Sequence, residues 1–155
     1  MSEGTGGPDF VSDPYESLKL GNQLCFAIYS AAHAFSGAYK PMLEPLGLTY
    51  PQYLVLMVLW EKDGLTVKEI GERLHLDSGT LTPVLKRLEK GGYVRRRRNP
   101  SDERELCVEL TEAGLAVRDK ALAARNNLVC SSGRSENQIQ ELKRSVLEMR
   151  DLLRA

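Results

Sequence analysis

The sequence predicts a mainly α-helical chain with a small β wing, and three stretches carry that expectation. Residues 77–88 place Leu81, Val84, Leu85 and Leu88 at i, i+3, i+4 and i+7, the buried stripe of one helix. Residues 66–76 read as a second short amphipathic helix, with Val67, Ile70 and Leu74 apolar and Thr66 in a capping position before Glu69. Two short helices a few residues apart make a helix-turn-helix. After it, Gly91 and Gly92 stop the second helix, and residues 93–98 run as a strand into the turn signal Asn99-Pro100-Ser101-Asp102. Residues 106–110 then alternate apolar side chains with Cys107 and Glu109, the period of a returning strand with one covered face. Helix, turn, helix and basic hairpin give a winged helix-turn-helix over 50–111.

The remaining elements follow in order. Residues 1–14 hold Gly4, Gly6, Gly7 and Pro8 and read as a flexible tail. A long helix is expected over 15–38, with Leu24, Ile28, Ala31, Ala32 and Phe35 on its apolar side and Cys25 well inside it. Pro41 interrupts the pattern, 42–46 can form a short helix, and Gly47 ends it. Residues 52–61 are apolar almost all round and belong in the centre of the fold. Pro83 is expected close to the first turn of the second helix of the motif, which therefore starts near Gly79. Thr111 can cap a helix over 112–127, and residues 130–133 read as a polar, flexible break. Ser135 to Gln138 form a capping box before a last helix whose stripe is Ile139, Leu142, Val146, Met149 and Leu153. That stripe can pack on the first helix of the same chain or on a second chain. The second is favoured, because a palindromic DNA site needs a two-fold protein. The expected organisation is one domain over 15–155, with 15–46 and 112–155 as dimerisation helices of a homodimer.

Composition narrows the function classes. The 155 residues carry 21 Lys plus Arg against 21 Asp plus Glu, so the chain has no bulk attraction for polyanions. Between Lys86 and Arg98, however, Lys86, Arg87, Lys90 and the arginines 95–98 face the single acid Glu89. The compensating acids are expected elsewhere, leaving a local basic footprint that suits phosphate contact. No run is long and apolar enough to span a membrane and no secretory signal opens the chain, so a cytoplasmic location is expected. Cys25, Cys107 and Cys130 are odd in number and widely spaced, which excludes a disulfide framework, and no CxxC points to zinc. His33 and His75 are too isolated for a metal site, and no cofactor is implied.

The polar face of residues 77–88 completes the DNA reading. Ser78, Thr80 and Thr82 lead and Lys86 and Arg87 follow, an order that suits hydroxyls at base edges and cations on phosphates. The order of elements, together with Asp102-Glu103-Arg104 at the wing tip, resembles the MarR family of bacterial regulators. Residues 23–29 around Cys25, residues 39–43 with 48–53, and residues 76–83 resemble its OhrR-type, organic-hydroperoxide-sensing branch of the two-cysteine subtype. That likeness implies a repressor that binds a pseudo-palindromic operator in double-stranded DNA. Cys25 would be the peroxide-reacting thiol, with the phenols of Tyr39 and Tyr50, the latter from the neighbouring chain's or its own helix, on its sulfur. Cys130 would be the resolving thiol, with the disulfide expected between chains, while Cys107 has no counterpart and reads as structural. Arg104 would enter the minor groove, oriented by Asp102, and an arginine does fit the negative potential of a narrow groove.

Two other classes compete with this redox-switched repressor. One is a repressor of the same family released by a reversible small-molecule ligand. The other is a thiol peroxidase using Cys25 and Cys130. A thiol in an apolar site is a poor nucleophile unless donors stabilise its thiolate, which gives the phenols their purpose and favours hydroperoxides with an organic tail.

Overall fold

The computed structural model describes residues 13–155, so the expected tail lies outside the described residues apart from Asp13 and Pro14. The chain divides into two compact units, Met1–Gly37 and Ala38–Ala155. The helices are α1 (Leu24–Leu43), α2 (Tyr50–Glu61), α3 (Val67–Leu74), α4 (Ser78–Lys90), α5 (Glu112–Ser132) and α6 (Glu136–Arg154). The strands are β1 (Leu65–Thr66), β2 (Val94–Asn99) and β3 (Asp102–Leu110), in the order β1-β3-β2, all antiparallel. This is the expected mainly helical fold with a β wing. Among the described residues no helix is long and apolar enough to cross a membrane.

In the first unit the helix begins later than its apolar pattern predicts. Two 3-10 turns, Glu16–Leu18 and Leu20–Asn22, precede α1. The Asn22 side-chain amide donates to Glu16 O at 2.9 Å and the Gln23 amide donates to Ser17 O, local bonds that compete with a regular helix. As a result Cys25 is the second residue of α1 rather than an interior one. Pro41, expected to end the helix, lies inside α1, which runs on to Leu43 before a 3-10 turn, Glu44–Leu46. The proline has no N–H to give the carbonyl four residues back, and that carbonyl belongs to Gly37, the last residue of the first unit.

The second unit is built on α2, as its uniform hydrophobicity predicts. Val55, Leu56 and Leu59 are shut off from solvent, and Ile70 of α3, Leu81, Leu85 and Leu88 of α4, and Val94 and Val108 of the sheet close around them. Thr66 and Ser135 form the expected capping boxes and Thr111 caps α5 through Gly114 N. Pro83 stands early in α4, close to the first turn as expected, since Asp77 caps the helix and Thr80 N donates to its carboxylate at 2.8 Å. One expectation needs correcting. The polar break at 130–133 shrinks to the residues after Ser132: α5 continues through Cys130, with Leu128 and Val129 half-buried, until Gly133 takes the left-handed φ of 65° that caps it.

The joint between wing and α5 is the tightest point of this unit. A Cβ on Gly114 would lie 2.1 Å from Tyr93 O, and Trp60 Nε1 donates to Gly114 O at 3.0 Å. Gly114→Ala should therefore cost about 2–3 kcal/mol, since the obstructing atom is backbone and cannot swing aside. Thermal melting of the variant checks this, and an unchanged midpoint would show that the joint has slack.

Candidate nucleic-acid interface and thiol sites

The α4 helix separates its two faces as its sequence predicts. Leu81, Leu85 and Leu88 are buried, while Ser78, Thr80, Lys86, Arg87 and Lys90 are exposed. Thr82 is half-buried and its hydroxyl donates to Ser78 O at 2.6 Å, so it is turned onto its own helix. Asp77 completes the N-terminus, and the bonds it accepts from Thr80 hold its carboxyl below the usual range.

The arginine run behaves differently from expectation. Arg96 donates through Nη2 at 2.9 Å and Nε at 3.2 Å to Glu89 Oε1, and its backbone N–H reaches Glu89 Oε2 at 2.9 Å. Arg95 and Arg97 both approach Glu109 Oε2 at 3.3 Å, and Arg98 Nη1 donates to Glu103 O at 3.0 Å. The compensating acids are thus beside the run and not elsewhere. The reason is register: β3 sets Glu109 opposite Arg95, and strand alternation brings Arg97 onto the same face. Among the described residues Lys86, Arg87 and Lys90 have no ion-pair partner, which leaves α4 as the open cationic surface. At the wing tip the Arg104 side chain is 94% exposed, with Nε 3.7 Å from Asp102 Oδ1, and its backbone N–H donates to the same oxygen at 3.1 Å.

The thiols fall into three settings. Cys25 is exposed in the first turn of α1, and its Sγ lies 3.6 Å from Gln23 Oε1. Cys130 is exposed in the last turn of α5, three residues before Gly133. Cys107 lies mid-strand between β1 and β2, where burial pushes its thiol up and Glu69, Glu105 and Glu109 push it further. That setting suits the structural reading of Cys107.

Tyr39 and Tyr50 belong to the second unit and do meet there, with ring centroids 5.9 Å apart. A third ring completes the cluster: Tyr53 lies 5.2 Å from Tyr39 and 5.8 Å from Tyr50. Burial and then the neighbouring phenols push Tyr53 up to about 12, and burial with Tyr39 raises Tyr50, so both remain O–H donors at neutral pH. Sequence reading missed Tyr53 because it sits in an all-apolar helix; its spacing of three from Tyr50 was the available signal. Near this cluster Arg125 Nη2 donates to Glu136 Oε1 at 2.6 Å, tying α5 to α6, and the bond to Glu136, then the field of Tyr39, raises the guanidinium.

Comparison with known proteins places these features in context. Residues 48–106 match the MarR family. The chain is 51% identical over 136 residues to the HTH-type transcriptional regulator TtmR of Methylorubrum extorquens, covering 88% of this chain and 70% of TtmR. It is 41% identical over 143 residues to the organic hydroperoxide resistance transcriptional regulator of Bacillus subtilis, covering 92% and 97% of the two chains. Among solved structures, reduced AbfR bound to DNA superposes with a TM-score of 0.75 at 39% identity, over 90% of this chain and 95% of the other. Disulfide-formed AbfR superposes with a TM-score of 0.62, also at 39% identity, over 90% and 92%.

The Glu89–Arg96 pair leads to a pH prediction. Its bonds to Arg96 lower the Glu89 carboxyl, so the stability it contributes is fully present above the unfolded value, about 4.3, and is lost as pH falls through the lower folded value. Glu89→Gln should cost about 1 kcal/mol at neutral pH, the partial exposure of the pair keeping it small. Denaturant titrations from pH 7 to 3 should show the gap between variant and wild type closing below about 4.3, and a gap that widens on acidification would contradict the pairing.

Proposed function

The chain belongs to the MarR family of DNA-binding transcriptional regulators, and from that premise we propose that it is a homodimeric, cytoplasmic repressor that senses organic hydroperoxides through Cys25. Its family consists of regulators, so the thiol peroxidase reading falls away. The observation that carries the redox reading is the exposed thiol of Cys25 at the helix N-terminus, in a chain that aligns over most of its length with a regulator of organic hydroperoxide resistance.

The chemistry balances as follows. The Cys25 thiolate attacks a peroxide oxygen, the O–O bond breaks, and the hydroperoxide leaves as an alcohol while Cys25 becomes a sulfenic acid. The Cys130 thiol then displaces the hydroxyl, releasing water and forming the disulfide, which protects Cys25 from further oxidation. The phenols of Tyr39 and Tyr50 stabilise the reacting sulfur. In this reading Tyr50 comes from the chain's own or the neighbouring chain's helix.

On DNA, each α4 enters a major groove with Ser78 and Thr80 at the base edges and Lys86 and Arg87 on phosphates, while Thr82 stays bonded to its own helix and Arg104, steadied by Asp102, reaches the minor groove. The operator is pseudo-palindromic with half-sites about 10 bp apart.

Two measurements test this, using a duplex selected from random DNA by the reduced protein. Cumene hydroperoxide at one equivalent per thiol should release the wild type, dithiothreitol should restore binding, and Cys25→Ser should bind but ignore the oxidant. Release of Cys25→Ser by the oxidant would refute the sensing role. Lys86→Ala and Arg87→Ala should each flatten the salt dependence of binding by about one unit of log–log slope, whereas Arg96→Ala, already paired to Glu89, should leave it unchanged. An Arg96→Ala slope as flat as those of the other two would place the DNA surface on the wing strand instead.

A further inference from the structure

Tyr93 lies between the end of α4 and the start of β2, and three of its polar atoms are committed to three different parts of the second unit. Its backbone N–H donates to Leu88 O at 3.0 Å, closing the C-terminus of α4. Its carbonyl accepts from Thr111 N at 3.1 Å, at the cap of α5. Its half-buried hydroxyl donates to Leu46 O at 2.6 Å across 47 residues of sequence. Leu46 closes the 3-10 turn between α1 and α2, the elbow that carries Tyr39 on one side and Tyr50 on the other.

The backbone of Tyr93 has little freedom. Gly114 presses on its carbonyl so closely that a Cβ would stand 2.1 Å away, and a Cβ on Gly91 would meet the Tyr93 ring at 3.1 Å. The elbow is looser, since Glu44, Pro45 and Gly47 are exposed and Gly47 takes a φ of 65°. A displacement of the tyrosine-bearing elbow must therefore either carry α4 with it or break the bond from the Tyr93 hydroxyl.

Resting on the redox reading above, we infer that Tyr93 is the positioning residue coupling the phenol cluster to the recognition helix, through a hydroxyl bond to Leu46 O made in the reduced, DNA-competent state and lost in the disulfide state. A bond present in one state only shifts the balance between them by its own strength. One neutral, partly buried hydrogen bond corresponds to about three- to tenfold in an equilibrium constant.

Tyr93→Phe keeps the ring and removes the hydroxyl. Its affinity for the selected duplex should fall about three- to tenfold in the reduced form and stay at the wild-type value in the disulfide form, so that the reduced-to-oxidised ratio narrows by the same factor. A merely structural role would weaken both forms alike and leave the ratio unchanged, and that result, or no loss in either form, overturns the inference. A second readout needs no variant: hydrogen exchange in residues 44–48 and 88–93 of the wild type should speed up on conversion to the disulfide form. Equal protection of both segments in both forms overturns it equally. A wild type whose affinity ignores cumene hydroperoxide would refute the sensing function itself, a failure distinct from an unmoved ratio in a wild type that does respond.

Discussion

The apolar faces that α1 and α6 leave in water are the constraint on which the rest of the molecule depends. Leu24, Phe26, Ile28 and Phe35 are 57%, 40%, 38% and 53% exposed, and on α6 Leu142, Val146, Met149 and Leu153 are 55%, 39%, 38% and 79% exposed. No residue of α6 is buried, although its capping box and periodic stripe are those of a packed amphipathic helix. A single chain has a core around α2, joined by Tyr39 and Leu43 from the end of α1, and a finished winged helix, while the Arg125–Glu136 link ties α6 to α5. A second copy would bury both faces and bring two recognition helices to one operator.

Electrostatics make a similar point on a smaller scale. A run of four arginines in one strand would repel itself if left bare, and the fold relieves it by placing Glu89 of α4 and Glu109 of β3 against it. The wing is stiffened and locked to the recognition helix as a result. Near the wing the exposed cations are then Lys86, Arg87 and Lys90 on α4 and, at the tip, Arg104. A neutral chain can in this way present a basic surface without a large net charge.

Much of this was legible in the sequence wherever a local pattern and the tertiary fold agree. The stripe of Leu81, Leu85 and Leu88, the caps at Thr66, Thr111 and Ser135, and the uniformly apolar α2 each state their environment directly. Failures cluster where long-range packing or side-chain bonding overrode propensity. Pro41 reads as a helix boundary but lies inside α1. Asn22 and Gln23 delay α1 through bonds that no periodicity reveals, which moved Cys25 from an interior position to the helix N-terminus. The partners of the arginine run came from strand register, and Tyr53 was hidden by its apolar surroundings. Cys130, read as lying in a flexible break, proved helical, so under the proposed disulfide it is the last turn of α5 that would shift to reach Cys25 of the other chain.

That displacement, and the partner chain it must reach, give the most direct measurement of the central claim. Chains carrying Cys25→Ser and chains carrying Cys130→Ser are mixed, allowed to exchange subunits, and treated with one equivalent of cumene hydroperoxide. Neither variant alone can form the disulfide between Cys25 and Cys130, whereas a mixed dimer retains one intact Cys25 facing one intact Cys130 from the other chain. The account predicts a covalent dimer on a non-reducing gel in the mixture only, mapped to Cys25 and Cys130 and removed by dithiothreitol. A mixture that stays monomeric on the gel while the wild type oxidises to a disulfide within one chain would contradict it.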